Sequence, residues 1–114
     1  MSFREQLASA TPGRETVLAI GVFDGVHRGH RHVLQQLCQL ASPNYLPGAV
    51  TFVNHPLPVL RPGAQVSYIT TPEEKVRLLR EQGVELVVSL EFTQELSQVS
   101  ARDFTTMLVD LLRM

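Results

Sequence analysis

The pair His27 and His30, spaced as His27-Arg28-Gly29-His30, brings together the side chains in this sequence best suited to chemistry on a phosphate. Each imidazole can donate a hydrogen bond to a phosphate oxygen. Gly25 and Gly29 let the backbone approach a ligand closely and take positive φ where that is required. When an α-phosphate is attacked and pyrophosphate leaves, negative charge grows on the phosphate oxygens. Fixed donors at those oxygens lower the barrier without a covalent intermediate. The chemistry suggested is transfer of a nucleotidyl group, not of a terminal phosphate. The sequence contains neither the G-x-x-x-x-G-K-[ST] loop of many phosphate-cleaving enzymes nor the G-x-G-x-x-G of dinucleotide binders.

Other readings of these residues are weaker. Two histidines in a polar loop could be incidental, but these follow an apolar run and precede a helical pattern, with Phe23-Asp24-Gly25 in front. A zinc site needs three or four ligands, and His27, His30, His32 and His55 are the only histidines. His30 and His32 lie two apart on a helix and diverge in direction, so no metal-ligand set is expected. Asp24 could reach the triphosphate through a magnesium ion, or could fix the turn by an Asx bond. His55 falls just past the carboxyl end of a second strand, where open parallel sheets bind ligands, and is expected to face the pocket of His27. The alternative for His55 is a surface loop. Arg61, Lys75, Arg77 and Arg80 read as a solvated face without a role.

The elements that position these residues follow from periodicity. Phe3 and Leu7 suit one short helical turn, and Thr11-Pro12-Gly13 reads as a turn. Val17 to Gly21 is a continuous apolar run, as expected of a strand buried on both faces. A helix from about His30 to Ala41 places Val33, Leu34, Leu37, Cys38 and Ala41 on one face. A second strand is expected over Ala49 to Val53, followed by Asn54-His55-Pro56, and a loop over Leu57 to Ile69. Thr71-Pro72-Glu73-Glu74 is a helix start, and Gly83 is its stop. Leu86 to Leu90 is a third strand. Ser100 to Asp103 resembles a capping box, after which Phe104, Met107, Leu108, Leu111 and Leu112 keep helical spacing. This alternation predicts an α/β fold: a doubly wound parallel sheet of three strands with crossover helices on both faces. The first strand would have a neighbour on one side only, leaving an open apolar edge able to pair with a second copy.

Composition narrows the class. The chain has 114 residues, 44% of them apolar and 18% charged, which suits one globular domain. A net charge of −1 argues against a nucleic-acid partner held by phosphate neutralisation. The single Cys38 sits among apolar neighbours and reads as a buried thiol in a reducing compartment, so a cytoplasmic location is expected. No apolar run is long enough for a signal peptide or a membrane span, so no membrane partner is expected.

Gly21-Val22-Phe23-Asp24-Gly25-Val26-His27-Arg28-Gly29-His30 resembles the G-x-F-D-G-V-H-x-G-H signature of bacterial FAD synthetases. These are bifunctional riboflavin kinase/FMN adenylyltransferases of the HxGH nucleotidyltransferase superfamily. Thr51-Phe52-Val53-Asn54-His55-Pro56 resembles the family's T-F-x-P-H-P, and the similarity extends over about Thr16 to Met114. The resemblance implies a Rossmann-like nucleotidyltransferase fold. It implies transfer of AMP from ATP to FMN, giving FAD and pyrophosphate, with magnesium accompanying ATP. Gly21, Phe23, Asp24, Gly29 and His30 would bind ATP, with Gly29 letting the adenine pack on the backbone. His27 and His30 would be catalytic, and Asn54 and His55 would belong to a substrate loop. Asn54 stands where the family usually has proline, so a less rigid loop is expected there. The family's G-Y-D-F-x-F-G and I-S-S-x-x-I-R segments are not in this sequence, nor is the riboflavin kinase module. Residues 1–114 are therefore expected to be the N-terminal portion of the adenylyltransferase domain, with impaired activity alone. Two alternatives stand beside this: a non-catalytic half-domain that associates through its open edge, and another HxGH enzyme such as a cytidylyltransferase.

Overall fold

The structure, a computed structural model, describes residues 3–24, 28–63 and 70–114. Helix α1 spans Phe3–Ala8, strand β1 Thr16–Ile20, helix α2 Arg28–Ala41 and strand β2 Leu46–Phe52. A short helix α3 covers Leu57–Leu60, followed by helix α4 at Pro72–Glu81 and strand β3 at Leu86–Leu90. Helices α5, Gln94–Ser97, and α6, Ala101–Leu112, complete the described residues. The strands form one parallel sheet in the order β1-β2-β3.

Alternation along β2 divides the core into two layers, because successive side chains point to opposite faces. Ala49 faces Leu34 and Leu37 of α2, Leu79 of α4 and Val84. Val50 faces the other way, toward Leu7 of α1, Val88 and Leu90 of β3, and Leu108 and Leu112 of α6. Helices cover both faces, as the alternation of elements predicts. Gly48 sits level with Leu18 and Leu86, and a Cβ there would lie 2.7 Å from a Leu18 methyl group. The two flanking leucines occupy the space that a side chain would need.

Capping follows the expected chemistry. The Thr71 hydroxyl accepts from the Glu74 amide at 3.1 Å, with Pro72 at the first helical position. Gly83 ends α4 with φ of 99°. The Ser100 hydroxyl accepts from the Asp103 amide at 3.0 Å and starts α6.

Several expectations need correction. β1 is not buried on both faces: it is an edge strand, and Ile20 is 49% exposed. Val33 is exposed at the flank of α2, which buries Leu34, Leu37 and Ala41 instead. β2 begins at Leu46, so Pro47 and Gly48 lie within it. Pro47 is tolerated because it stands second in the strand, where its carbonyl still accepts from the Glu85 amide at 2.9 Å. Part of the expected loop after Leu57 forms α3, whose Val59 and Leu60 amides donate to the Pro56 carbonyl at 3.1 Å. Residues 64–69 of that stretch lie outside the described residues. α5 has no counterpart in the periodicity. It is a single turn capped by Thr93, whose hydroxyl accepts from the Leu96 amide.

Candidate active site

The strands' carboxyl ends meet the first turns of α2 and α4 at one pole of the sheet. Here β1 runs into Gly21-Val22-Phe23-Asp24. The Gly21 amide donates to the Val50 carbonyl at 3.1 Å, extending the sheet by one bond. The Thr51 hydroxyl donates to the Val22 carbonyl at 2.9 Å and ties the turn to β2. Phe23 has φ of 53°, a left-handed conformation that bulky residues rarely take. That twist folds its ring back into the core, where it is buried. A Cβ on Gly21 would lie 3.1 Å from the ring, so glycine at 21 makes room for it. The edge of the same ring meets His30, with centroids 5.2 Å apart and planes at 75°. Gly21, Phe23 and His30 are thus one packed unit, and the turn backbone aims the imidazole.

Gly29 lies in the first turn of α2 and is exposed, and a Cβ there would meet nothing within 4 Å. Space beside the helix start is therefore open to a ligand. A hollow of about 490 Å³ runs from His30, Phe23 and Gly21 along the uncovered edge of β1 to Val33 and Leu40 of α2. His27 and Gly25 lie outside the described residues.

Asp24 reaches across the mouth to the segment that precedes α4. Its Oδ1 accepts from both the amide and the hydroxyl of Thr70, each at 2.9 Å. Thr70 immediately precedes the cap of α4, so Asp24 joins the turn after β1 to that helix. Lys75, on the same helix, is the residue that sequence reasoning missed. It is not on a solvated face: it is only 6% exposed. Its Nζ donates to the Phe52 carbonyl at 2.6 Å and makes a longer contact, 3.4 Å, to Thr51 Oγ1. Burial holds the ammonium below the ordinary lysine range, while the Asp24 carboxylate pulls it back up. Helical phase carried the missed signal, since Lys75 lies four residues before the buried Leu79, on the same stripe. Arg77 matches the expected solvated face and pairs with Glu81 at 2.9 Å.

The loop leaving β2 is held by Asn54. Its Nδ2 donates to the Phe92 carbonyl at 2.9 Å, and its Oδ1 accepts from the Phe92 amide at 2.7 Å. The side-chain amide thereby imitates one rung of a strand pair. The loop is pinned, contrary to the less rigid loop expected from asparagine in place of proline. His55 follows, half-buried, beyond the carboxyl end of β2. Nearby, Phe52, Phe92 and Phe104 line an apolar hollow of about 410 Å³ with Leu60 and Leu96.

The family model for FAD synthetase matches residues 9–114. The chain belongs to the FAD synthetase family. Among the relatives of this family member, a bifunctional riboflavin kinase/FMN adenylyltransferase of Listeria monocytogenes is 40% identical over 90 residues. The match covers 77% of this chain and 29% of that protein. A second Listeria monocytogenes protein, named FAD synthetase, is 35% identical over 88% of this chain and 41% of its own length. The bifunctional riboflavin kinase/FMN adenylyltransferase of Escherichia coli is 37% identical over 84% of this chain and 31% of its own length. The chain thus spans well under half the length of these relatives. A solved structure described as a macrolide-efflux protein from Streptococcus pneumoniae superposes with a TM-score of 0.84, at 24% identity. The superposition covers 98% of this chain and 38% of that one, and the likeness is one of fold. Among the described residues, no helix is long and apolar enough to cross a membrane.

Proposed function

We propose that this chain supplies the ATP-binding part of an FMN adenylyltransferase site. In that reaction an FMN phosphate oxygen attacks the α-phosphorus of ATP. A new P–O bond forms as the bond to pyrophosphate breaks, giving FAD. The observation that carries the reading is the brace of Phe23 against His30 at the carboxyl end of β1, beside the open start of α2. Unpaired amides in the first turn of a helix suit phosphate oxygens. His30 would donate to those oxygens as charge grows on them. His27 takes the same role on the sequence pattern, and Gly29 leaves room for the base. Asp24 is the carboxylate at this mouth, which suits an ion that takes most of its oxygens from phosphates and water. Magnesium carried in by ATP would neutralise charge on the triphosphate, with Asp24 as its protein partner. His55 would border the FMN phosphate, while Asn54 shapes the loop through Phe92. The hollow lined by Phe52, Phe92 and Phe104 suits a flat aromatic ring system such as flavin.

The test is direct. Incubation with ATP, magnesium and FMN, followed by chromatography for FAD, measures the reaction, with CTP as the nucleotide control. His30→Ala should lower the rate in the intact enzyme by about a hundredfold or more. Unchanged FAD formation by His30→Ala would overturn the reading. The open edge favours a second reading, self-association, because Ile20, Val33 and the 72% exposed Leu40 flank the hollow beside β1.

A further inference from the structure

We propose that Lys75 is a positioning residue for the phosphate-binding turn, its buried ammonium locking the turn backbone from beneath and backing it with positive charge. The inference rests on the nucleotide-binding reading above. Burying an ammonium is costly, and an apolar side chain of similar volume at such a place usually serves stability as well or better. Lys75 lies on the stripe that also carries Leu79, where the fold alone would favour leucine or methionine. Something other than packing therefore accounts for the charge.

The geometry says what the charge holds. Lys75 Nζ bonds the Phe52 carbonyl and reaches Thr51 Oγ1. Thr51 in turn donates to the Val22 carbonyl. Val22 precedes Phe23, whose left-handed backbone sets the ring that meets His30. A second tie, from Thr70 to Asp24, reaches the same turn from the same end of α4. Thr70, just before the cap of α4, and Lys75, in its first turn, thus hold the turn after β1 at two points. One of the two runs through a buried cation, by way of Thr51.

The test compares wild type, Lys75→Met and Thr51→Val by calorimetric titration of the chain with magnesium-ATP and, separately, with adenosine. Thermal melts run alongside to confirm folding. Thr51→Val is nearly isosteric and leaves the bond from Lys75 to Phe52 in place. Lys75→Met should weaken ATP binding by about tenfold or more, and Thr51→Val by about threefold. Adenosine binding should change by less than about twofold in both, because the turn faces the phosphates. A purely structural lysine would weaken both ligands alike, and that result overturns the proposal. So does ATP binding equal to wild type in both variants. If Lys75→Met does not fold, Thr51→Val decides alone by the same comparison. Failure of the wild type to bind ATP at all would instead overturn the nucleotide-binding reading, and this inference with it.

Discussion

At the scale of single residues, the site depends on one aromatic ring held in an unfavourable backbone conformation. Phe23 keeps φ of 53° because Gly21 clears the space for its ring and His30 closes over the edge. Gly21→Val should push the ring away from its seat and cost about 1–3 kcal/mol of stability. ATP binding should fall by more than that loss explains, since His30 loses its brace. Melting curves paired with calorimetry would separate the two effects. Much of this residue-level picture is legible in the sequence. Gly21, Phe23 and His30 stand out by type and spacing, and the structure packs them together. Lys75 escapes because a charged residue among charged neighbours reads as solvated until its helical phase is followed to Leu79. Asn54 stands out in the sequence as a loop residue, but its partner does not. Its two hydrogen bonds go to Phe92, far along the chain, and no local pattern announces a partner at that separation.

At the scale of elements, caps and phases decide the boundaries. Thr71, Pro72 and Gly83 frame α4 as expected, because capping is a local property of a few adjacent residues. The start of β2 does not follow from local rules, since Pro47 and Gly48 resemble loop residues until flanking strands pair with them. Gly83 is doubly constrained: φ is 99°, and a Cβ there would lie 3.2 Å from Cys38 Sγ. Gly83→Ala should destabilise the protein by about 1–2 kcal/mol. A domain of this size would then melt several degrees lower. The Cys38 thiol is itself held above its ordinary range by burial, with the Glu85 carboxylate adding to the effect. At neutral pH less of it is thiolate than in a free cysteine, so alkylation by iodoacetamide should be slower than in the denatured chain. Helix α1 is short but anchored, since Leu7 is fully buried against β3 and α6. Leu7→Ala should cost about 2–4 kcal/mol, readable in a denaturant titration.

At the scale of the whole molecule, the three-stranded order, the helices on both faces and the open edge of β1 follow from the alternation of strands and helices. Burial of β1 on both faces does not, because an apolar run says nothing about what will cover those faces. Ile20 and Leu40 stand exposed along that edge, and the exposed row invites pairing. Light scattering at rising concentration should show association, and Ile20→Lys should restore the monomer. At the end of β1 opposite the site, a small seam ties the strand to α6. The Thr16 amide donates to the Arg113 carbonyl, and its hydroxyl to the Leu112 carbonyl, both at 2.9 Å. This seam puts the last turn of α6 at the entrance of β1, a strand's length from the mouth of the site. Five residues of strand span about 16 Å. A fluorophore coupled at the exposed Met114 would therefore sit at the opposite pole from a bound nucleotide, well placed to report on folding while leaving the mouth untouched.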